Sequence, residues 1–369
     1  MNRLNFLNPQ RMAEAAAKGL GAAQEIQKDL VNTITDTPEE PRPEFSLLNF
    51  SRRAMATEFE FRVPVGIGVP PVEAMEEALD EVDRLETQMT VYRDNSELVA
   101  INQRAFFESV KIEPGLFELL QLSAKISRDT NGAFDISTGA LTKAWGFFRR
   151  AGRVPSRGEQ LAVLKKVGMR YVAFDATAQT IRFRREGLEL NLGSIGKGYA
   201  LDRATSILRD VWQVPHALLH GGHSSVYGLG SEPGTLKGWQ VGLRHPWKPE
   251  QRLGFVRLRN RGMGTSAATF QHLEHNGRKL GHVIDPRTGW PAEGLASATA
   301  IAPTAALADA LATAFFIMGV EKTREYIAKH PDVGTILLPA KEDAQPIVLN
   351  IPEDEIQLSS GTGVSNRPQ

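Results

Sequence analysis

The chain has no cysteine, which excludes disulfides, thiolate metal sites, thiol nucleophiles and lipid attachment to an N-terminal cysteine. It has no excess of charge either: 43 Lys plus Arg are balanced by 43 Asp plus Glu. No global field draws nucleic acid or an anionic membrane, so any anionic ligand must be held by local charge. Long apolar runs are also absent. Arg11, Glu14 and Lys18 interrupt the N-terminal stretch MNRLNFLNPQRMAEAAAKGL, leaving nothing of signal-peptide length. No later segment approaches the roughly 18 consecutive apolar residues of a membrane span. As written, the sequence reads as a soluble, cytoplasmic protein with no nucleic-acid partner and no evident membrane association.

At 369 residues the chain can bury a substantial core in one large or two medium domains. Alanine-rich, charge-interrupted sequence from about Pro9 to Val31 suits an amphipathic helix, so residues 1–31 read as a helical extension and the Pro- and acid-rich residues 32–45 as a linker. The folded body is expected over 46–358 and a disordered tail over 359–369. Within the body, ATEFEFRVPVG alternates like a strand, PVEAMEEALDEVDRLETQM and GLFELLQLSAKISRD have helical spacing, and YVAFDATAQTIRFRR reads as a hairpin. LELNL reads as a short strand entering a helix at SIGKGYALDRATSILRD. Further strands are expected at HALLHGG, GWQVGLRHP, LGFVRLRN and GLASATAIA, the last feeding the most apolar helix, TAALADALATAFFIMG. Hairpins with irregularly interspersed helices predict an α+β fold of mixed or antiparallel sheets rather than a doubly wound parallel sheet.

That last helix carries Leu307, Leu311, Phe315 and Met318 in one stripe and Ala308, Ala310, Ala312, Phe316 and Ile317 elsewhere, so it should be largely buried. One charge interrupts it. Asp309, with Thr313 one turn later on the same face, is either a cap on a neighbouring loop or half of a hard-oxygen site for a cation such as Mg²⁺. In LNLGSIGKGYALD, glycines 193, 196 and 198 sit where an apparent strand meets a helix, beside Lys197. That arrangement suits either a tight turn or a phosphate at a helix N-terminus, and it matches neither standard glycine-loop template. LLHGGHSSVYGLG fits a bulge, and the aromatics of TNGAFDISTGALTKAWGFF fit either core packing or a stack on a flat heterocycle. In GHVIDPRTGWP, Pro286 and Gly289 make a turn, and His282 is either a structural histidine or a general base.

Taken together, MATEF, VYRDNSELVAIN, GAFDISTGALTKAWGF, NLGSIGKGYALD, HGGHSS, GTSAATF, GHVIDPRTGWP and ADALATAFFIMG run in order from Met55 to Gly319. Their succession resembles the FAD:protein FMN transferase family, also called ApbE. The resemblance implies an α+β fold around an FAD cleft, with FAD as substrate and Mg²⁺ as cofactor. It also implies an acceptor flavoprotein whose Thr or Ser hydroxyl receives FMN while AMP is released. Carried onto this chain, it places the metal at Asp309, Thr313 and the Gly196 carbonyl, and FAD contacts at Met55, Tyr92, Asp135, Lys197, Thr265, His282, Asp285 and Thr288. His282, Asp285 and Lys197 become the candidate catalytic groups, with His282 or Asp285 as base. An FAD pyrophosphatase and a non-catalytic FAD-binding protein are the alternatives. The sequence departs from the family at Thr265-Ser266-Ala267-Ala268-Thr269, where Thr-Ser-Gly is usual, and at Asn191 and His223, where aspartates are common. Many members are exported, so an exported or membrane-facing location is the alternative to a cytoplasmic one.

Overall fold

Antiparallel pairing dominates the architecture. In this computed structural model the described residues are 46–65, 72–149, 152–248, 250–267, 272–275, 278–341 and 343–359. The expected extension and linker over 1–45, and all of the expected tail but Ser359, lie outside them. In chain order the elements are β1 (Leu47–Ala54), β2 (Thr57–Pro64), α1 (Val72–Met89), α2 (Glu97–Arg104), β3 (Val110–Lys111), α3 (Pro114–Asp129), α4 (Gly139–Ala144), α5 (Arg157–Leu164), β4 (Val172–Asp175), β5 (Thr180–Phe183) and α6 (Gly196–Ser206). They continue with β6 (Ala217–Gly221), β7 (Ser225–Leu229), β8 (Trp239–Arg244), β9 (Arg252–Leu258), β10 (Arg261–Ala267), β11 (His272–His275), β12 (Arg278–Gly281), β13 (Leu295–Ala302), α7 (Ala305–Ile327), β14 (Gly334–Pro339), β15 (Ile347–Leu349) and β16 (Ile356–Leu358).

An eight-stranded sheet, ordered β1-β2-β6-β7-β10-β13-β14-β15, forms the centre. Strand alternation gives it two apolar faces. Phe59, Phe61, Leu219, Ala298 and Ala300 face the helices, whereas Leu218, Val226, Met263, Ile301 and Ile336 pack against Trp239, Val241 and Val256 of the three-stranded sheet β16-β9-β8. A smaller apolar cluster joins Leu141, Trp145, Val167 and Leu280.

The expected strand over 188–192 is a correction: only Glu189 forms a bridge, parallel to Thr138. Side chains take the place of a neighbouring strand. Asn102 accepts from the Leu190 N–H at 2.8 Å and donates to its carbonyl at 2.9 Å, and the Asn191 N–H donates to the Ile136 carbonyl at 2.7 Å. The helix expected over 194–210 is also shorter, giving way at Ile207–Val211 to a wider turn.

The apolar helix α7 lies against β10, and glycine makes that approach possible. A Cβ on Gly262 would come within 2.4 Å of the Ala305 backbone, and one on Gly264 within 2.6 Å of Ala308. From the other side Gly198 of α6 meets the Ala305 carbonyl, where a Cβ would lie at 2.2 Å. Thr304 caps α7 by accepting from the Leu307 N–H. Asp202 of α6 spans the same end, accepting from the Ala305 and Ala306 N–H groups at 2.7 and 2.8 Å. Such donors are otherwise unpaired at a helix start. Among the described residues no helix is long and apolar enough to cross a membrane.

Candidate active site

Asp309, in the second turn of α7, is the buried charge around which the site is built. Its Oδ2 accepts from the Gly198 N–H at 2.8 Å, and the Ser225 hydroxyl lies 2.8 Å from both carboxylate oxygens. Burial pushes its pKa up to about 6, against the opposing pull of the Lys197 ammonium and the two hydrogen-bond donors. The carboxylate faces the glycine-rich entry to α6, where it caps the Gly198 N–H. Thr313, one turn along, donates to the Asp309 carbonyl at 3.3 Å and shares a hydrogen bond with Ser266 at 3.1 Å.

Gly196 opens α6 and is buried, with Lys197 half-buried beside it. Among the described residues no three His, Cys, Asp or Glu side chains gather as a metal cluster, so a cation here would rely on one carboxylate, hydroxyls and backbone oxygen. That donor chemistry fits a hard divalent ion, whose remaining positions are ordinarily completed by phosphate oxygens or water.

Two hairpin tips meet next to this group. Met55 and Ala56 both have positive φ, 50° and 58°, forming the β1–β2 turn that carries Met55. Gly222, at the β6–β7 tip, has φ 68° and lies so close to Thr57 that a Cβ would fall 2.3 Å from its hydroxyl. Its N–H donates to the Glu58 carbonyl at 2.9 Å. His223 on that tip is exposed.

Sequence alternation places the neighbouring threonine elsewhere. Thr265 shares a face with Met263 and bonds Thr299 at 2.9 Å, on the side away from α7. Ser266, in phase with Gly262 and Gly264, is the residue turned to Thr313. Neither Ser266 nor Ser225 is among the site residues expected from the sequence; period-two alternation counted from the two glycines points to Ser266, whereas Ser225 has no such local signal.

The turn at 281–291 forms a second group. Ile284 bridges Pro291, the Gly289 N–H donates to the Asp285 carbonyl at 2.8 Å, and Gly289 has φ 73°. Trp145, fully buried, donates its indole N–H to the Gly289 carbonyl at 2.9 Å, and Gln160 donates to the Thr288 carbonyl at 3.1 Å. The aromatic segment around Trp145 is thus largely core, and it clamps the turn. His282 is half-buried at the start of the turn, and Thr288 is exposed. Both oxygens of Asp285 accept from Arg287, at 2.8 Å each.

Asp135 is buried, and its oxygens accept from the Ser137 N–H and hydroxyl, the Met169 N–H and the Ser127 hydroxyl. Its carboxylate braces the loop, whose residues 133–137 are all buried. A cleft of about 640 Å³ lies between that loop and Arg287. From Ile136 the hydrogen bond to Asn191, and from Asn191 Oδ1 the bond to the Gly193 N–H at 2.9 Å, connect the Asp135 segment to the entry of α6. Asn191 therefore performs the loop-closing role open to an aspartate, without its charge. Tyr92 is 68% exposed and stacks on Phe148 with centroids 4.8 Å apart, beside a smaller cleft that Asn191 and Lys143 line.

These features place a buried α7 carboxylate against a glycine-opened helix inside an α+β body with two packed sheets. Residues 55–337 match the ApbE family model, and the chain belongs to the ApbE family. It is 30% identical over 274 residues to an FAD:protein FMN transferase of Klebsiella pneumoniae, covering 74% of this chain and 83% of that one. A second, from Treponema pallidum, is 30% identical over 281 residues, 72% and 76% of the two chains. Among solved structures, the ApbE protein of Thermotoga maritima superposes with a TM-score of 0.73 at 27% identity, covering 82% of this chain and 97% of that one. The apo flavinyl transferase ApbE of Pseudomonas stutzeri shares the fold, with a TM-score of 0.72 at 23% identity over 82% and 95%.

Proposed function

We propose that this protein transfers FMN from FAD to the hydroxyl of a Thr or Ser in an acceptor flavoprotein and releases AMP, in a reaction that depends on Mg²⁺. The observation that carries this reading is the buried Asp309 carboxylate, held by Gly198 and Ser225 opposite Lys197 in a chain of the ApbE family.

In this reaction the acceptor oxygen attacks the FMN phosphorus of FAD, a phosphoester bond forms, and the bond to the AMP oxygen breaks. Positioning and charge neutralisation carry most of such a displacement. Asp309 and Thr313, with the Gly196 carbonyl, would hold Mg²⁺, which when bound offsets negative charge on the pyrophosphate. Lys197 adds a positive charge next to Asp309. His282 takes the proton of the incoming hydroxyl, a role for which Asp285 is poorly suited because Arg287 occupies both of its oxygens. The hairpin tip at Met55, the cleft that Asp135 lines and the exposed ring of Tyr92 supply surfaces for FAD.

The test is AMP release from FAD with Mg²⁺, with and without an acceptor bearing a threonine in a flavinylation-type motif, followed by mass spectrometry of the acceptor. AMP together with an added FMN mass is the expected result. AMP with an unmodified acceptor points instead to FAD hydrolysis, and FAD binding without AMP to a catalytically silent flavin binder.

A further inference from the structure

We infer that Ser225 is a positioning residue for the Asp309 carboxylate: its hydroxyl holds the oxygens in the orientation that receives a divalent cation. The inference rests on the metal reading of Asp309 proposed above.

Ser225 is the first residue of β7 and has no exposed surface. It reaches Asp309 across 84 positions of sequence, at 2.8 Å from each carboxylate oxygen. The Gly198 N–H also donates, but only to Oδ2. The single hydroxyl proton of Ser225 lies within reach of both oxygens, whereas the Gly198 N–H adds a donor at Oδ2 alone. An ionised carboxylate offers about four lone-pair sites, so the less occupied Oδ1 has capacity for a ligand that Oδ2 largely lacks. Rotation of the carboxylate would break one or both bonds.

Two features show that the serine's placement is built into the fold. Ser225 pairs with Gly264 in the sheet, and Gly264 lets the Asp309 segment of α7 approach the strand, a Cβ there lying 2.6 Å from the Asp309 nitrogen. β7 is reached directly from the Gly222 turn, which is seated on Thr57. The same strand start therefore sets the hydroxyl against Asp309 and the hairpin tip against the Met55 turn.

Partners of a ligating carboxylate that do not themselves touch the metal commonly change metal affinity by about 10–100-fold when removed. Mn²⁺ serves as a spectroscopic probe for the site. With FAD present, Mn²⁺ is titrated into the full-length protein and free Mn²⁺ is followed by its paramagnetic resonance signal. FAD affinity without metal is measured in parallel by flavin fluorescence.

Ser225→Ala is expected to weaken Mn²⁺ binding about 10–100-fold, with metal-free FAD affinity and cooperative melting retained. Ser225→Cys, nearly isosteric with a weaker donor, should fall between alanine and serine; it also carries the test if the alanine variant fails to fold. Mn²⁺ affinity within twofold of wild type in the folded variants, while Asp309→Asn loses it, would overturn the role of Ser225 and leave the metal reading standing. No Mn²⁺ binding by the wild type would remove both.

Discussion

At the residue scale the proposed chemistry rests on Asp309 and His282, and each can be tested alone. Asp309→Asn keeps the side chain's shape and an oxygen for the Gly198 and Ser225 donors, but it removes the charge. Metal-dependent AMP release is expected to fall by at least about 100-fold while the melting temperature stays within a few degrees; retained turnover would sink the metal assignment. His282→Gln should lower kcat by about 100-fold or more and abolish the acidic limb of the pH–rate profile. Asp285→Asn should leave that limb in place, because its carboxylate is paired with Arg287. The opposite pattern would transfer the base role to Asp285. Tyr92 and Asp135 illustrate two ways a sequence candidate can resolve: one is a ring open to solvent, the other a carboxylate engaged inside its own loop.

Helix α7 and the two elements it touches set the geometry at the element scale. Gly264→Ala would push a methyl into the backbone of α7, and such overpacking costs about 1–3 kcal/mol. The expected signature is a lower melting temperature together with weakened cation binding, since the same contact places Asp309; a variant with wild-type stability would show that the helix can shift freely. Asp202, which holds the start of α7, has its pKa pushed up to about 7, chiefly by burial. The folded state therefore binds this proton more tightly than the unfolded chain. The cost of burying the charged form is absent below about pH 4, grows as pH rises and is complete above about pH 7. In metal-free protein the melting temperature of the wild type should drop relative to Asp202→Asn by about 5 °C between pH 4 and pH 8. Parallel profiles would show that Asp202 does not titrate in this range. The β1–β2 turn holds Ala56 at φ 58°, where an L residue is strained and glycine is not. Ala56→Gly should therefore be neutral to stabilising, by up to about 1 kcal/mol.

For the whole molecule, ordered strand structure runs from Leu47 in β1 to Leu358 in β16, and both terminal strands are paired, β1 with β2 and β16 with β9. Removal of residues 1–45 is expected to leave cooperative melting and flavin transfer intact. A broad, non-cooperative transition after that truncation would place part of the fold's stability in the removed segment. The central sheet separates two apolar layers, with the site built on the helical side; a substitution at Trp239 or Val256 in the other layer should lower stability without a specific change in cation affinity.

Local pattern and composition were sufficient for much of this protein: the α+β class, the hairpin at YVAFDATAQTIRFRR, the apolar α7, the turn at GHVIDPRTGWP and the placing of Asp309 and Thr313 one turn apart all follow from spacing within a few residues of one another. The strand expected at LELNL failed because its backbone partners are the Asn102 side chain and Ile136 rather than a neighbouring strand, contacts no local window contains. Thr265 is legible as a candidate, but only the register of β10 against β13 shows that its hydroxyl meets Thr299 while Ser266 meets Thr313. Ser225 and Asp309 lie 84 residues apart, and the Gly198 N–H reaches Asp309 across 111. Only the stacking of α6 and β7 on α7 brings those donors to a buried carboxylate. The sequence by itself determined the α+β class, the apolar α7 and the chemical repertoire of its motifs; tertiary structure decided which groups meet, because side-chain direction and long-range register are settled only when the sheet and helices pack.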